Sequence, residues 1–358
     1  MEFGISFPSY IRAWEDVRRA EEYGFANAWF DDSHLCYSEV FATMALAADR
    51  TRRIKLGTFV LIAGNRIAPI TANAMATLNE IAPGRIILGA GAGFTGRNVM
   101  GMGPRSRREV RDDITIIRDL LAGREANYRE GEEVRAIKFL HPEMGFINIR
   151  DRIPIYLAAN APRMQQLVGE IGDGWIYAGC EVEAVREGLA RINQAADGSG
   201  RRGAIKAAVA LASACVLRPG ESLTSARVLS RVGPHSAVAL HPYWQPGEIP
   251  LSRFGTPKLQ PLVEKYHREY LMKMKTPLEK RFQEIHWGHL IFLKPGEEQY
   301  MTENLIREMS LTGSAAEIIE RIKALEQAGI TQFVVRVNGT DGRELISEFG
   351  REVIAKYA

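Results

Sequence analysis

Four consecutive residues, Asp31, Asp32, Ser33 and His34, put two carboxylates and an imidazole directly after a strand-like run. If the extended backbone continues, alternation places Asp32 and His34 on one face. A carboxylate beside a histidine favours the imidazolium form and orients the ring, which suits a proton donor or a group that polarises a bound cofactor. The same four residues also suit a loop whose histidine caps the next helix. Two side chains are too few for a metal site. His286 and His289 form a second pair at i, i+3 spacing, but Gly288 weakens a helix there and no third ligand is evident. That pair reads as solvent-facing or substrate-lining.

Other segments suggest chemistry done by the backbone. Gly89-Ala90-Gly91-Ala92-Gly93-Phe94-Thr95-Gly96 contains G-x-G-x-x-G over residues 91–96. Its context does not fit a dinucleotide fingerprint: Gly101, Gly103 and Pro104 postpone the helix, and no acidic strand end follows at the right distance. Backbone without side chains lets a planar ligand approach closely, or simply lets a loop take positive φ. Phe59, Val60, Leu61 and Ile62 read as an apolar wall against a flat ring, or as plain core. Ala158-Ala159-Asn160 and Ala178-Gly179 are small-residue loops ahead of helices, where exposed N–H groups suit a phosphate, with Arg163 adding charge from a first turn. The basic run 105–111 reads as a solvated helix start.

The elements that would position these residues alternate. Apolar strand-like runs fall at 3–8, 26–30, 54–62, 85–90, 153–158, 174–178, 205–217 and 332–337, and most are followed by an amphipathic helical pattern. Eight such strands predict a closed (β/α)8 TIM barrel, an α/β fold with its site at the C-terminal strand ends, with a doubly wound open sheet as the rival. Residues 128–148 break the rhythm as a β-hairpin excursion. Residues 219–309 do not alternate and read as a mainly helical insertion packed on a single domain of residues 1–358. That insertion is rich in aromatics, including Tyr243, Trp244, Phe254, Tyr266, Tyr270, Trp287 and Phe292, which suggests an apolar lid. Ser314 and Glu317 fit a capping box ahead of a late helix.

Lys plus Arg number 46 against 43 Asp plus Glu, a net charge of +3, so no whole-molecule field attracts nucleic acid or a membrane surface. Cys36, Cys180 and Cys215 are too scattered for a disulfide framework or a metal site, which fits a reducing compartment. No basic leader and no bilayer-length apolar run is evident, so a cytoplasmic protein is expected.

Five segments then carry a resemblance: WFDDSH, KLGTFVLIAGNRIAPITANAMATLNEIAPGRIILGAGAG, IPIYLAANAP, GEIGDGWIYAG and LTGSAAEIIERIKALEQAGITQFVV. Together they resemble the luciferase-like superfamily, and within it the branch of methylenetetrahydromethanopterin reductase and deazaflavin-dependent glucose-6-phosphate dehydrogenase. The resemblance implies a (β/α)8 barrel, usually a homodimer, with a non-proline cis peptide at Phe59–Val60 behind an isoalloxazine-type ring. It implies that Phe59, Val60 and Leu61 back the ring and that Ala92 and Gly93 line it. The cofactor phosphate would lie on Ala158, Ala159, Asn160, Ala178 and Gly179, and His34 would be the histidine beside the ring, with Asp32, from the residues themselves, the second catalytic candidate. Two positions depart from the branch. Ser33 stands where an aspartate often precedes the histidine, and Phe94 stands where the sugar-phosphate enzyme has an acidic residue, so glucose 6-phosphate is not the expected substrate. The expected activity is hydride transfer between coenzyme F-420 (F420) and a small organic substrate. The alternatives are a two-component monooxygenase using reduced FMN from a separate flavin reductase, and a non-catalytic flavin-binding protein.

Overall fold

Strands covered by helices on one side and by a filled barrel on the other are buried on both faces, so they read as continuous apolar runs rather than alternating ones. The computed structural model, which describes residues 1–241 and 257–357, shows this in Glu2–Phe7, where every residue after Glu2 is buried. Eight parallel strands form the barrel: Glu2–Phe7, Asn27–Phe30, Lys55–Thr58, Ile86–Gly91, Ile155–Ala158, Gly174–Ala178, Ala207–Val216 and Gln332–Arg336. Each pairs with the next, and the eighth pairs back onto the first with Ile5 opposite Val335, so the cylinder closes and the open-sheet rival is excluded.

Period-two alternation divides the core into two shells. Trp29, Phe59, Ile87, Ile176, Val209 and Val334 fill the barrel, while their neighbours Ala28, Phe30, Phe333 and Val335 pack outward against the helices. The barrel filling sets limits on backbone identity. A Cβ on Gly57 would stand 2.4 Å from the Trp29 ring, and one on Gly89 would stand 2.1 Å from the Thr58 carbonyl oxygen.

The capping box at Ser314 and Glu317 opens the helix Ala315–Gln327. The basic run opens the helix Arg107–Leu121 through a second capping box, Ser106 with Glu109. The excursion is an antiparallel hairpin, Ala126–Glu130 with Glu133–Ile137. The late insertion is mainly helical, including Ala226–Ala237, Gln260–Glu269, Arg281–His286 and Glu303–Met309, and it has its own apolar cluster around Tyr266, Tyr300 and Leu305. Tyr243, Trp244 and Phe254 lie outside the described residues. One strand was not anticipated: Ser310–Gly313 pairs with the end of the long seventh strand, Ser213–Val216. Four residues are too few to show a period, and only this pairing reveals them as a strand. Among the described residues no helix is long and apolar enough to cross a membrane.

Candidate active site

The strand ends on the C-terminal side of the barrel surround a cavity, and the third strand supplies its apolar wall. The Phe59–Val60 peptide bond is cis and interrupts that strand after Thr58; pairing resumes where Leu61 meets Ala90 and Ile62 meets Gly91. Thr58 bridges the gap, its hydroxyl donating to Gly89 O at 2.6 Å and accepting from Gly89 N–H at 3.1 Å. Phe59 rests on Trp29 with ring centroids 5.1 Å apart, and Phe59, Val60 and Ile62 face the cavity. Leu61 points the other way, into the core under the helices, so Ile62 takes the place expected of it in the wall. The reason is the register after the cis bond, which places alternate residues on opposite faces.

The glycine loop forms the next side. Gly93, at φ +82°, and Gly96 line the cavity, and a Cβ on Gly96 would stand 2.4 Å from Ile62 Cδ1 and 3.3 Å from His34 Cε1. Ala92 packs instead against the outer core. On the far side lie Ala178 and Gly179.

The small-residue loops are more self-satisfied than their sequences suggest. Ala159 N–H donates to Ile176 O at 3.0 Å and Gly179 N–H to Leu211 O at 3.0 Å. Asn160, which is exposed, clamps the sixth strand end with both amide atoms: Nδ2 donates to Ala178 O at 2.7 Å, and Oδ1 accepts from Ala178 N–H at 3.1 Å. Ala158 packs on the barrel interior and Ala159 is buried under the helices. The backbone N–H groups of Ala159, Ala178 and Gly179 are therefore engaged within the protein. The N-terminus of the helix Pro162–Ile171, with Arg163 exposed in its first turn, stands directly beyond them.

The polar groups also pair differently from the sequence reading. Asp32 does not orient His34. It is buried and held by Arg66 through two hydrogen bonds of 2.8 and 3.0 Å, and it accepts from Ile62 N–H at 3.3 Å. The second strand ends at Phe30, so the alternation that would have aligned Asp32 with His34 does not continue. His34 stands behind Gly96. Its Nδ1 faces the Asn65 amide nitrogen at 3.2 Å and its Nε2 faces Met100 Sδ at 3.3 Å. Asp31 forms a buried two-point ion pair with Arg336 from the end of the eighth strand, and both line the cavity.

The insertion supplies two histidines to the cavity lining, His235 and His289. His289 is buried rather than solvent-facing and lines the cavity, with Nε2 2.9 Å from Thr95 Oγ1. Burial, reinforced by His286 nearby, holds its imidazole well below the ordinary histidine range. His286 is buried too but does not line the cavity. His235 also lines the cavity, and neither it nor Arg336 stands out in the sequence. Arg336 had one available signal, a charge closing an apolar strand where barrel sites form. His235 had none, because nothing local marks which turn of a helical insertion faces the barrel.

These residues fit a flat, tricyclic cofactor. The wall is apolar, the loop beside it lacks side chains, and two buried polar atoms, His289 Nδ1 and Arg336 Nε, have no partner among the described residues.

Comparison with known proteins agrees with that geometry. The luciferase-like monooxygenase family model matches residues 6–332. The 5,10-methylenetetrahydromethanopterin reductase of Archaeoglobus fulgidus is 30% identical over 369 aligned positions, covering 99% of each chain. The F420-dependent glucose-6-phosphate dehydrogenase of Nakamurella multipartita is 26% identical over 343 positions, covering 87% of this chain and 92% of its own. The solved coenzyme F420-dependent tetrahydromethanopterin reductase from Methanopyrus kandleri shares the fold with a TM-score of 0.73 at 22% identity, over 100% of this chain and 99% of that one.

Proposed function

The chain belongs to the luciferase-like monooxygenase family, whose relatives here are oxidoreductases, and from that premise we propose that it transfers hydride between F420 and a small, uncharged organic substrate. The observation that carries this reading is the match to a methylenetetrahydromethanopterin reductase along 99% of both chains, joined to the apolar, side-chain-poor seat at the barrel mouth. A deazaflavin bound in that seat supplies or takes up the hydride.

The chain's own residues do the rest. Phe59, Val60 and Ile62 would back the ring and keep water from it. Gly93 and Gly96 would let the ring approach the backbone closely. Asp32, already neutralised by Arg66, acts as a positioning residue that pins the wall through Ile62 N–H. His34 accepts from Asn65 at Nδ1, which leaves the proton on Nε2, where a weakly accepting thioether sulfur gives it up to a better acceptor. The substrate is read as uncharged because Arg336, the one cation lining the cavity among the described residues, is already paired with Asp31.

Titration with F420, followed by fluorescence quenching, tests the reading. Saturable quenching with no oxygen uptake supports it. The family model also names monooxygenases, so reduced FMN must be assayed in parallel. Oxygen consumption with reduced FMN and no quenching of F420 would replace the deazaflavin reading with the monooxygenase one.

A further inference from the structure

We infer that His235 reads the substrate, its Nε2–H donating a hydrogen bond to the carbonyl oxygen of an uncharged ketone or aldehyde, or to the corresponding alcohol oxygen in the reverse direction. The inference rests on the hydride-transfer reading and deepens it by naming a substrate class.

The tautomer follows from the partners. His235 sits near the end of the helix Ala226–Ala237, which packs on the seventh strand. Its Nδ1 lies 3.2 Å from Ser213 N and 3.1 Å from Ser213 Oγ. A backbone N–H can only donate, so Nδ1 is the acceptor and a neutral ring carries its hydrogen on Nε2. Burial, with the nearby Arg336 charge adding to it, pushes the imidazole down to about 3, so the ring is neutral at working pH. Nε2 has no protein partner among the described residues, yet the ring lines the cavity. It is a fixed, uncharged donor on a ring that lines the cavity.

Most of the neighbouring polar side chains are already engaged; the two buried atoms left over among the described lining residues, His289 Nδ1 and Arg336 Nε, belong to the seat assigned to the cofactor. Asp31 is paired with Arg336, Asp32 with Arg66, and Thr95 with His289. Glu181 accepts the Tyr177 hydroxyl, and Glu308 is ion-paired with Lys258 at 3.7 Å. An anionic substrate would find no unpaired cation among the described lining residues, whereas an uncharged oxygen acceptor finds His235. In the reducing direction a C–H bond forms at the carbonyl carbon with hydride from the reduced deazaflavin. The C=O π pair moves onto oxygen, and the proton of His34 Nε2–H, relayed through water at the mouth, completes the alcohol. A donor aimed at that oxygen stabilises the charge as it develops.

The test uses the whole protein, F420, and cyclohexanone, benzaldehyde and acetophenone as probes. Nitrogen-15 histidine spectra at pH 7.5 should show His235 protonated on Nε2 and shifted by at least one carbonyl probe. His235→Phe should keep the F420 dissociation constant within about twofold and lose about 100-fold in kcat/KM for that probe, the size seen when one such donor is removed. His235→Gln, which restores an N–H, should recover part of the loss. A ring protonated on Nδ1, unchanged kcat/KM in His235→Phe, or F420 binding with none of the three probes turned over would overturn the inference and leave the cofactor reading standing. Failure of F420 to bind the parent protein would overturn the cofactor reading itself, and with it this one.

Discussion

His34 and Asp32 stand two residues apart and yet serve different partners. The carboxylate is committed to Arg66 and the wall, so the imidazole takes its orientation from the Asn65 amide instead. A neutral histidine oriented by an amide keeps its proton on Nε2, which lies against only a thioether sulfur. His34→Ala should therefore leave F420 affinity within about twofold while lowering kcat about 100-fold, the usual scale for general acid or base catalysis. Asn65→Leu keeps the bulk and removes the donor. It should lower kcat about tenfold, since either ring nitrogen could then carry the proton. Steady-state rates between pH 6 and 9 check both variants, and full activity in His34→Ala would end the proton role assigned to this histidine.

At the scale of elements, two regions take on tasks that their sequences leave open. The small-residue loops spend the N–H groups of Ala159, Ala178 and Gly179 within the protein, with Asn160 as the clamp, so a phosphate would rely on the helix beginning at Pro162. Arg163→Glu should then weaken F420 binding about tenfold at low salt, and the difference should shrink as salt rises. Equal affinities at low salt would place the phosphate elsewhere. The helical insertion is pinned by a buried carboxylate. Glu297 accepts from Tyr266 at 2.6 Å and from Lys294 Nζ at 2.8 Å, and it stands 2.7 Å from His241 Nε2. Burial alone would raise this carboxyl, but His241 and Lys294 outweigh it and hold the group below the usual carboxylate range. A depressed folded-state pKa means the unfolded chain binds the proton first as pH falls. The stabilisation is therefore complete at neutral pH and declines only below the ordinary carboxylate range, near pH 4.5 and lower. Glu297→Gln should cost about 3 kcal/mol at pH 7, and the gap to the parent should narrow in urea melts repeated at pH 4 and below.

At the scale of the whole molecule, the barrel was legible because a parallel, doubly buried strand writes itself as an uninterrupted apolar run with a helix after it. The cavity wall and glycine loop were legible for a related reason, since they are local segments at strand ends. What could not be read were groups joined by closure. Asp31 meets Arg336 across 305 residues, and His235 reaches the mouth from a helical insertion whose packing no period records. Gly57 belongs to the same class, an ordinary strand glycine until the cylinder closes around Trp29. Trp29 is fully buried, its indole N–H donates to Gln332 Oε1 at 2.9 Å, and its ring supports Phe59 in the cavity wall. With both ends of the indole fixed, a methyl at 57 cannot be relieved by a rotamer change and must displace the ring. Gly57→Ala should lose about 1–3 kcal/mol, the cost of overpacking a filled interior. Because Trp29 carries Phe59, the same variant should also weaken F420 binding, although residue 57 does not line the cavity. A variant equal to the parent in both denaturant midpoint and quenching titration would show that the barrel filling and the cofactor seat are mechanically independent.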